Sequence, residues 1–183
     1  MEQEQVQKEI KKALQLHSET NLVEFKKAKG GFPKKEVRKT LSAFGNTDGG
    51  IIVFGVEEKK DKMLDVIGVD SVADLQERMT NLSAEDMNMI LRLDYFLLEI
   101  DEKTILAIYV PKCENHLKPY YIKEIGLPNG AYVRDGNTDR RMTEEEMKNY
   151  VRNAQELHRS LSTSTKYLAS AGMRHLPCLS GSA

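Results

Sequence analysis

The chain has 183 residues, 40% of them apolar and 30% charged, a mix that suits one folded domain and excludes a disordered polymer. Its net charge is −1, so any attraction to phosphate must come from a local patch rather than the whole-molecule field. No run approaches the roughly 20 apolar residues of a membrane span, and the polar run Glu2-Gln3-Glu4-Gln5 after Met1 is unlike a secretory leader. A cytoplasmic setting is therefore expected. Cys113 and Cys178 stand far apart, outside any metal-ligand spacing, and are read as free thiols.

Taken in chain order, residues 4–16 read as a helix, because Val6, Ile10, Ala13 and Leu14 recur at helical spacing among lysines and glutamates. Leu22 to Lys26 alternates as a short strand. Gly30-Gly31 breaks the chain, and Pro33 suits the start of a second helix with Val37, Leu41 and Phe44 as its buried stripe. Gly45-Asn46 is a stop signal for that helix. Ile51 to Val56, apolar apart from Gly55, reads as one strand buried on both faces.

Residues 63–69 are expected to be a strand and 71–79 a helix, while 81–92 is ambiguous, with Met87, Ile90 and Leu91 favouring a helix. Tyr95 to Ile100 and Thr104 to Val110 form a hairpin signal about Asp101-Glu102-Lys103. Tyr120-Tyr121-Ile122 and Ala131 to Arg134 are short strands, the latter ending at Asp135-Gly136. A final helix starts at Thr143, with Glu146 completing a capping box and Met147, Tyr150, Val151, Ala154 and Leu157 as its stripe. From Ser160 to Ala183, serine and threonine make up eight of 24 residues and only Lys166 and Arg174 are charged. A domain over 1–158 and a flexible tail or truncated extension over 159–183 are expected.

The densest chemistry is basic. Lys26, Lys27, Lys29, Lys34, Lys35, Arg38 and Lys39 are interrupted only by Glu36, a local charge of 7 − 1 = +6 over 14 residues. At about 100° per residue, Lys34, Lys35, Arg38 and Lys39 share one arc of the second helix, beside its apolar stripe. The Gly-Gly turn and the helix start add backbone N–H groups suited to phosphate. A solvated helix face is the alternative, since cations grip a backbone only when they point the same way.

The turn from Asn46 to Gly50 invites a nucleotide-binding reading, but its order is helix, loop, strand. A phosphate cradle needs strand, loop, helix, so that the positive end of the helix faces the anion. The glycines more plainly permit a tight connection. Glu19, Glu24, Glu57 and Glu58 stand at strand ends, where glutamates usually face water. Brought together by the fold, three carboxylates would suit Mg²⁺ or Mn²⁺ and could activate water against a phosphodiester. His17, His116, His158 and His175 are scattered without ligand spacing.

The blocks ETNLVEFK (19–26), LSAFGNTDGG (41–50) and IVFGV (52–56), followed by AYVRDGN (131–137) and Arg140-Arg141, resemble the signature of the Schlafen-type AlbA domain, also called a divergent AAA domain. The likeness covers roughly residues 15–157. It implies an α/β (α+β) fold with a mixed sheet and flanking helices, related to the nucleic-acid-binding Alba architecture. Bacterial members are labelled transcriptional regulators. The resemblance thus implies a DNA-binding module whose contact surface is Lys26, Lys27, Lys29, Lys34, Lys35, Arg38 and Lys39, joined by Arg134, Arg140 and Arg141.

In the eukaryotic Schlafen nucleases, two glutamates of the first block and an acid after the glycine strand form a metal-dependent RNA-cutting site. The matching positions are Glu19, Glu24 and Glu58, with Glu58 in place of a shorter aspartate. The competing expectations are a non-enzymatic nucleic-acid binder without a cofactor, a Schlafen-type endoribonuclease using Mg²⁺ or Mn²⁺, and a structural adaptor with a merely solvated basic helix. ATP binding of the divergent AAA kind is a remnant alternative. A homodimer is expected by analogy with Alba proteins only.

Overall fold

A computed structural model describes residues 1–59 and 63–152. The expected boundary near 158, Cys178, His158, His175, Ala154 and Leu157 lie outside the described residues.

The described chain runs α1 (Gln3–Gln15), β1 (Val23–Lys26), α2 (Lys34–Asn46), β2 (Gly50–Phe54), β3 (Val56–Glu58), β4 (Leu64–Val66), α3 (Val72–Asn81), β5 (Asp94–Ile100), β6 (Lys103–Val110), β7 (Tyr132–Asp135) and β8 (Thr138–Arg141). A further helix, α4, begins at residue 144. The central sheet has the order β1-β2-β6-β5. β1 runs parallel to β2, and the remaining pairs are antiparallel. β3-β4 and β7-β8 form two small ribbons.

The central strands are apolar on both faces because both faces are covered. Val6, Ile10 and Ala13 of α1 share one core with Val23, Phe25, Ile51, Val53, Ile105 and Ala107. Val37, Leu41 and Phe44 of α2, with Leu75 and Met79 of α3, pack on Ile52, Phe54, Leu106 and Ile108 on the opposite face. α1 and α2 therefore lie on opposite sides of the sheet.

Two expectations are corrected, and one strand is added. The strand foreseen over Ile51 to Val56 is broken at Gly55, whose φ of +102° turns the chain out of the sheet into the β3-β4 ribbon. Residues 81–92 are helical only through a π-helical turn at Leu82–Asp86. Beyond it, Met87 bridges to Ile122, and the Asn88 side chain is bound to the backbone of Tyr121 and Pro119, so loop contacts replace the helical ladder. β8, reading Thr-Asp-Arg-Arg, carries no apolar alternation and was not foreseen; it exists as the return arm of a hairpin at Gly136, where φ is +61°.

α4 starts as the capping box requires. The Thr143 N–H donates to Glu146 Oε2 at 2.8 Å, and the Glu146 N–H donates to Thr143 Oγ1 at 3.2 Å. Met147 and Tyr150 pack inward as expected, but Val151 is 43% exposed. Among the described residues, no helix is long and apolar enough to cross a membrane.

Candidate nucleic-acid interface

α2 packs along the β7-β8 ribbon, and a buried lattice of polar groups locks the two together. Asn46 closes α2 with its side chain: Nδ2 donates to the carbonyls of Tyr120 at 2.7 Å and Tyr132 at 2.8 Å, while Oδ1 accepts from the Tyr120 N–H at 2.8 Å. Ser42, one turn earlier, donates to the Tyr120 carbonyl and accepts from the Tyr132 N–H. Lys118 Nζ donates to the Asn46 carbonyl at 2.7 Å, and burial lowers its pKa. The turn after α2 is filled by protein, since a Cβ on Gly49 would lie 2.8 Å from the Val110 carbonyl.

A second polar cluster joins β1, α2, β7 and β8. Arg134 is 3% exposed in its side chain and lies 2.8 Å from both Glu24 and Asp139. It also donates to the Thr20 carbonyl at 2.9 Å and sits 5.2 Å from the Phe44 ring centre. Asp139 accepts from Thr40 of α2 at 2.8 Å, and Glu24 forms a second ion pair with Lys26. Burial opposes the Arg134 charge, but Asp139 and Glu24 outweigh it and its pKa is raised. Nothing in the sequence announces Thr40 or Asp139 as members of this cluster.

The fold thus sorts the foreseen cations. Lys26 and Arg134 are held inside by acids. Lys27 pairs with Glu57 at 2.7 Å, Lys34 with Asp86 at 2.8 Å, and Arg38 with Glu124 at 2.9 Å. Arg140 is clamped between Asp135 and Glu146, which holds the Glu146 carboxyl down to about 2. Among the described residues, Lys29, Lys35, Lys39 and Arg141 have no acid partner. Lys35 and Lys39 are one turn apart on α2. Lys39 lies 6.0 Å from the Tyr132 ring centre, and Tyr132 is paired across the ribbon with Arg141. Cross-strand partners share a face, so Lys35, Lys39 and Arg141 lie along one ridge.

The foreseen carboxylates come together only in part. Glu19 Oε1 accepts the Phe25 N–H at 3.0 Å. Burial, and then the neighbouring charge of Glu24, push the Glu19 carboxyl up to about 7. Glu58, at the end of β3, is exposed. Among the described residues, no group of three or more His, Cys, Asp or Glu is placed to hold a metal ion. Glu24 is already bound by two cations and Glu19 by a backbone donor, so this arrangement does not fit Mg²⁺ or Mn²⁺.

A mixed four-stranded sheet sandwiched between helices, with a basic helix laid along a small ribbon, defines a mixed α/β domain. The Schlafen, AlbA_2 family model matches residues 19–143, and the chain belongs to that family. The solution structure of the N-terminal domain of a RecG-related protein from Nitrosomonas europaea is similar, with 28% identity and a TM-score of 0.58. That match covers 75% of this chain and 93% of the other. The crystal structure of the DIP2311 protein from Corynebacterium diphtheriae shares the fold at 19% identity and a TM-score of 0.55, over 81% of this chain and 28% of that one. No curated protein matches the sequence.

Proposed function

We propose that this domain binds nucleic acid through its phosphate backbone, with the ridge of Lys35, Lys39 and Arg141 as the grip and Lys29 at its margin. The observation that carries the reading is the absence of acid partners at these side chains among the described residues, in a protein where most other foreseen cations are paired. A phosphate approaching Lys35 or Lys39 displaces only water and counterions. One approaching Arg134 must break two buried ion pairs. Lys27 and Lys34 are half-exposed, and surface pairs of that kind contribute about 0–1 kcal/mol, so they can turn outward at small cost. The RecG-related neighbour, described as related to an ATP-dependent DNA helicase, supports work on nucleic acid. DNA is the proposed partner, and a role in a transcriptional regulator is proposed with it, on the family resemblance.

Phosphate contacts position a protein without reading sequence, so weak sequence preference and strong salt dependence are expected. Three contacts give a slope of log affinity against log salt of about −3 on duplex DNA and about −2 on single strands. The test is a binding assay on labelled duplex DNA and labelled RNA across a salt series, with and without Mn²⁺. The triple substitution Lys35→Glu, Lys39→Glu and Arg141→Glu is expected to abolish binding while the melting curve stays intact. Unchanged affinity in that variant overturns the assignment. Cleavage in Mn²⁺ that disappears in Glu24→Gln would favour the nuclease reading instead.

A further inference from the structure

Two adjoining clefts, of about 200 and 210 Å³, lie between the loop that enters α2 and the helix α3. Phe32 and Arg78 line both, so the clefts form one trench. One wall is bare backbone: Gly30 and Gly31, with φ of +89° and +131°, have no atom within 4 Å of where a Cβ would stand. A flat ring can therefore lie close against it. The opposite wall is α3 and the π-helical turn that follows it. Apolar surface is supplied by Phe32, whose ring stacks on Phe54 with 5.9 Å between centres, and by the buried Leu75 and Leu82.

The charges of the trench and of its flanks are opposite in sign. Lys29 precedes Gly30 and Lys35 follows Lys34, so two of the acid-free cations flank the trench. Its lining sets four carboxylates, Asp70, Asp74, Glu85 and Asp86, against the cations Lys34 and Arg78. Those two cations are already held by Asp86 and Asp74, each at 2.8 Å. Asp70 and Glu85 are exposed, and neither has an ion-pair partner among the described residues. A phosphate is thus drawn to the flanks and repelled by the lining, whereas a cationic peptide is repelled by the flanks. A nucleotide has the matching polarity: an anionic backbone, and a flat neutral base whose edge carries N–H donors. Each cleft is smaller than the roughly 300 Å³ at which pockets begin to hold drug-sized ligands, so it suits one base rather than a dinucleotide.

We propose that the trench receives an unpaired base from a single strand whose phosphates lie on Lys29 and Lys35. The base stacks on Phe32, and Asp70 or Glu85 accepts a hydrogen bond from its exocyclic amino group, as carboxylates do from cytosine N4. The π-helical turn that carries Glu85 and Asp86 agrees with this, since such turns recur at functional sites. The inference rests on the phosphate-binding reading and adds a substrate class to it. A duplex keeps its bases paired and stacked, and cannot offer one without the cost of extruding it.

The test mixes the full chain with single strands of oligo-dA, oligo-dC and oligo-dT, an abasic strand and a duplex, all of one length and at one salt concentration. Oligo-dA and oligo-dC should bind about tenfold more tightly than the duplex or the abasic strand, and more tightly than oligo-dT, whose base has no exocyclic amino group. A 2-aminopurine within the oligo-dA strand should lose fluorescence on binding. Phe32→Leu keeps an apolar side chain against Phe54. It should abolish that quenching and cut single-strand affinity roughly 5- to 100-fold, with the salt slope unchanged. Asp70→Ala with Glu85→Ala, both at exposed positions, should erase the preference for oligo-dA and oligo-dC over oligo-dT. Equal affinity for single strand, abasic strand and duplex overturns the base site and leaves the phosphate ridge standing. So does a Phe32→Leu chain that still quenches 2-aminopurine, or a base preference that survives the double substitution. A parent chain that binds no nucleic acid at low salt overturns both readings.

Discussion

Arg134→Ala separates a buried structural cation from a phosphate contact. In the folded chain its guanidinium lies 2.8 Å from Glu24 and 2.8 Å from Asp139, with its side chain 3% exposed. Truncation leaves Asp139 without its cation and Glu24 with Lys26 alone. Removing one partner of a buried ion pair typically costs about 3–5 kcal/mol, because the remaining charge stays desolvated. Against a domain stability of about 5–15 kcal/mol, that is a large fraction. At about 2–4 °C per kcal/mol for a domain of this size, the melting temperature should fall by about 6–20 °C. Urea unfolding followed by circular dichroism would measure the loss directly. A phosphate contact predicts the reverse: stability within about 0.5 kcal/mol of the parent and a salt slope for DNA binding smaller by about one. That result would refute the buried-cluster account of Arg134.

Other perturbations read other parts of the framework. Asn46→Ala leaves the Tyr120 and Tyr132 carbonyls and the Tyr120 N–H without their partner, and a loss of at least about 2 kcal/mol in urea unfolding is expected. Gly49→Ala meets both a φ of +81° and a carbonyl 2.8 Å from the new Cβ, so it should destabilise by more than about 1 kcal/mol in the same assay. The Glu19 carboxyl is raised from 4.5 to about 7 by burial and by Glu24, so the folded state holds a proton that the unfolded chain releases earlier. Its contribution is fully present below pH 4.5 and is lost as pH rises to about 7. Urea midpoints measured across that window should fall with pH in the parent and fall less in Glu19→Gln; parallel curves would exclude Glu19 as the source.

Much of the fold was legible because its causes are local. Val6, Ile10 and Ala13, Val37, Leu41 and Phe44, and the Thr143–Glu146 box report helix faces and starts within a few residues of themselves. The hairpin about Asp101 and Glu102 is local in the same sense. The break at Gly55 was visible as a glycine, but its direction was not, because the chain turns out to meet Gly68 and Val69 far along the sequence. β8 escaped because a strand of Thr, Asp, Arg and Arg is stabilised by its pairing with β7 and not by a pattern of its own.

The candidate site divides along the same line. Charge density between Lys26 and Lys39 is a property of the sequence, and so is the arc shared by Lys35 and Lys39 on α2. Which of those charges remain unpaired is not. Asp86 and Glu124 lie 48 or more positions beyond Arg38 in the chain, and Glu24 lies 110 positions before Arg134; only folding brings them to Lys34, Arg38 and Arg134. Composition and periodicity determined two helices of known polarity and a sheet buried on both faces. Tertiary contact decided which cations meet acids, because an ion pair acts over a few ångströms of space regardless of separation along the chain.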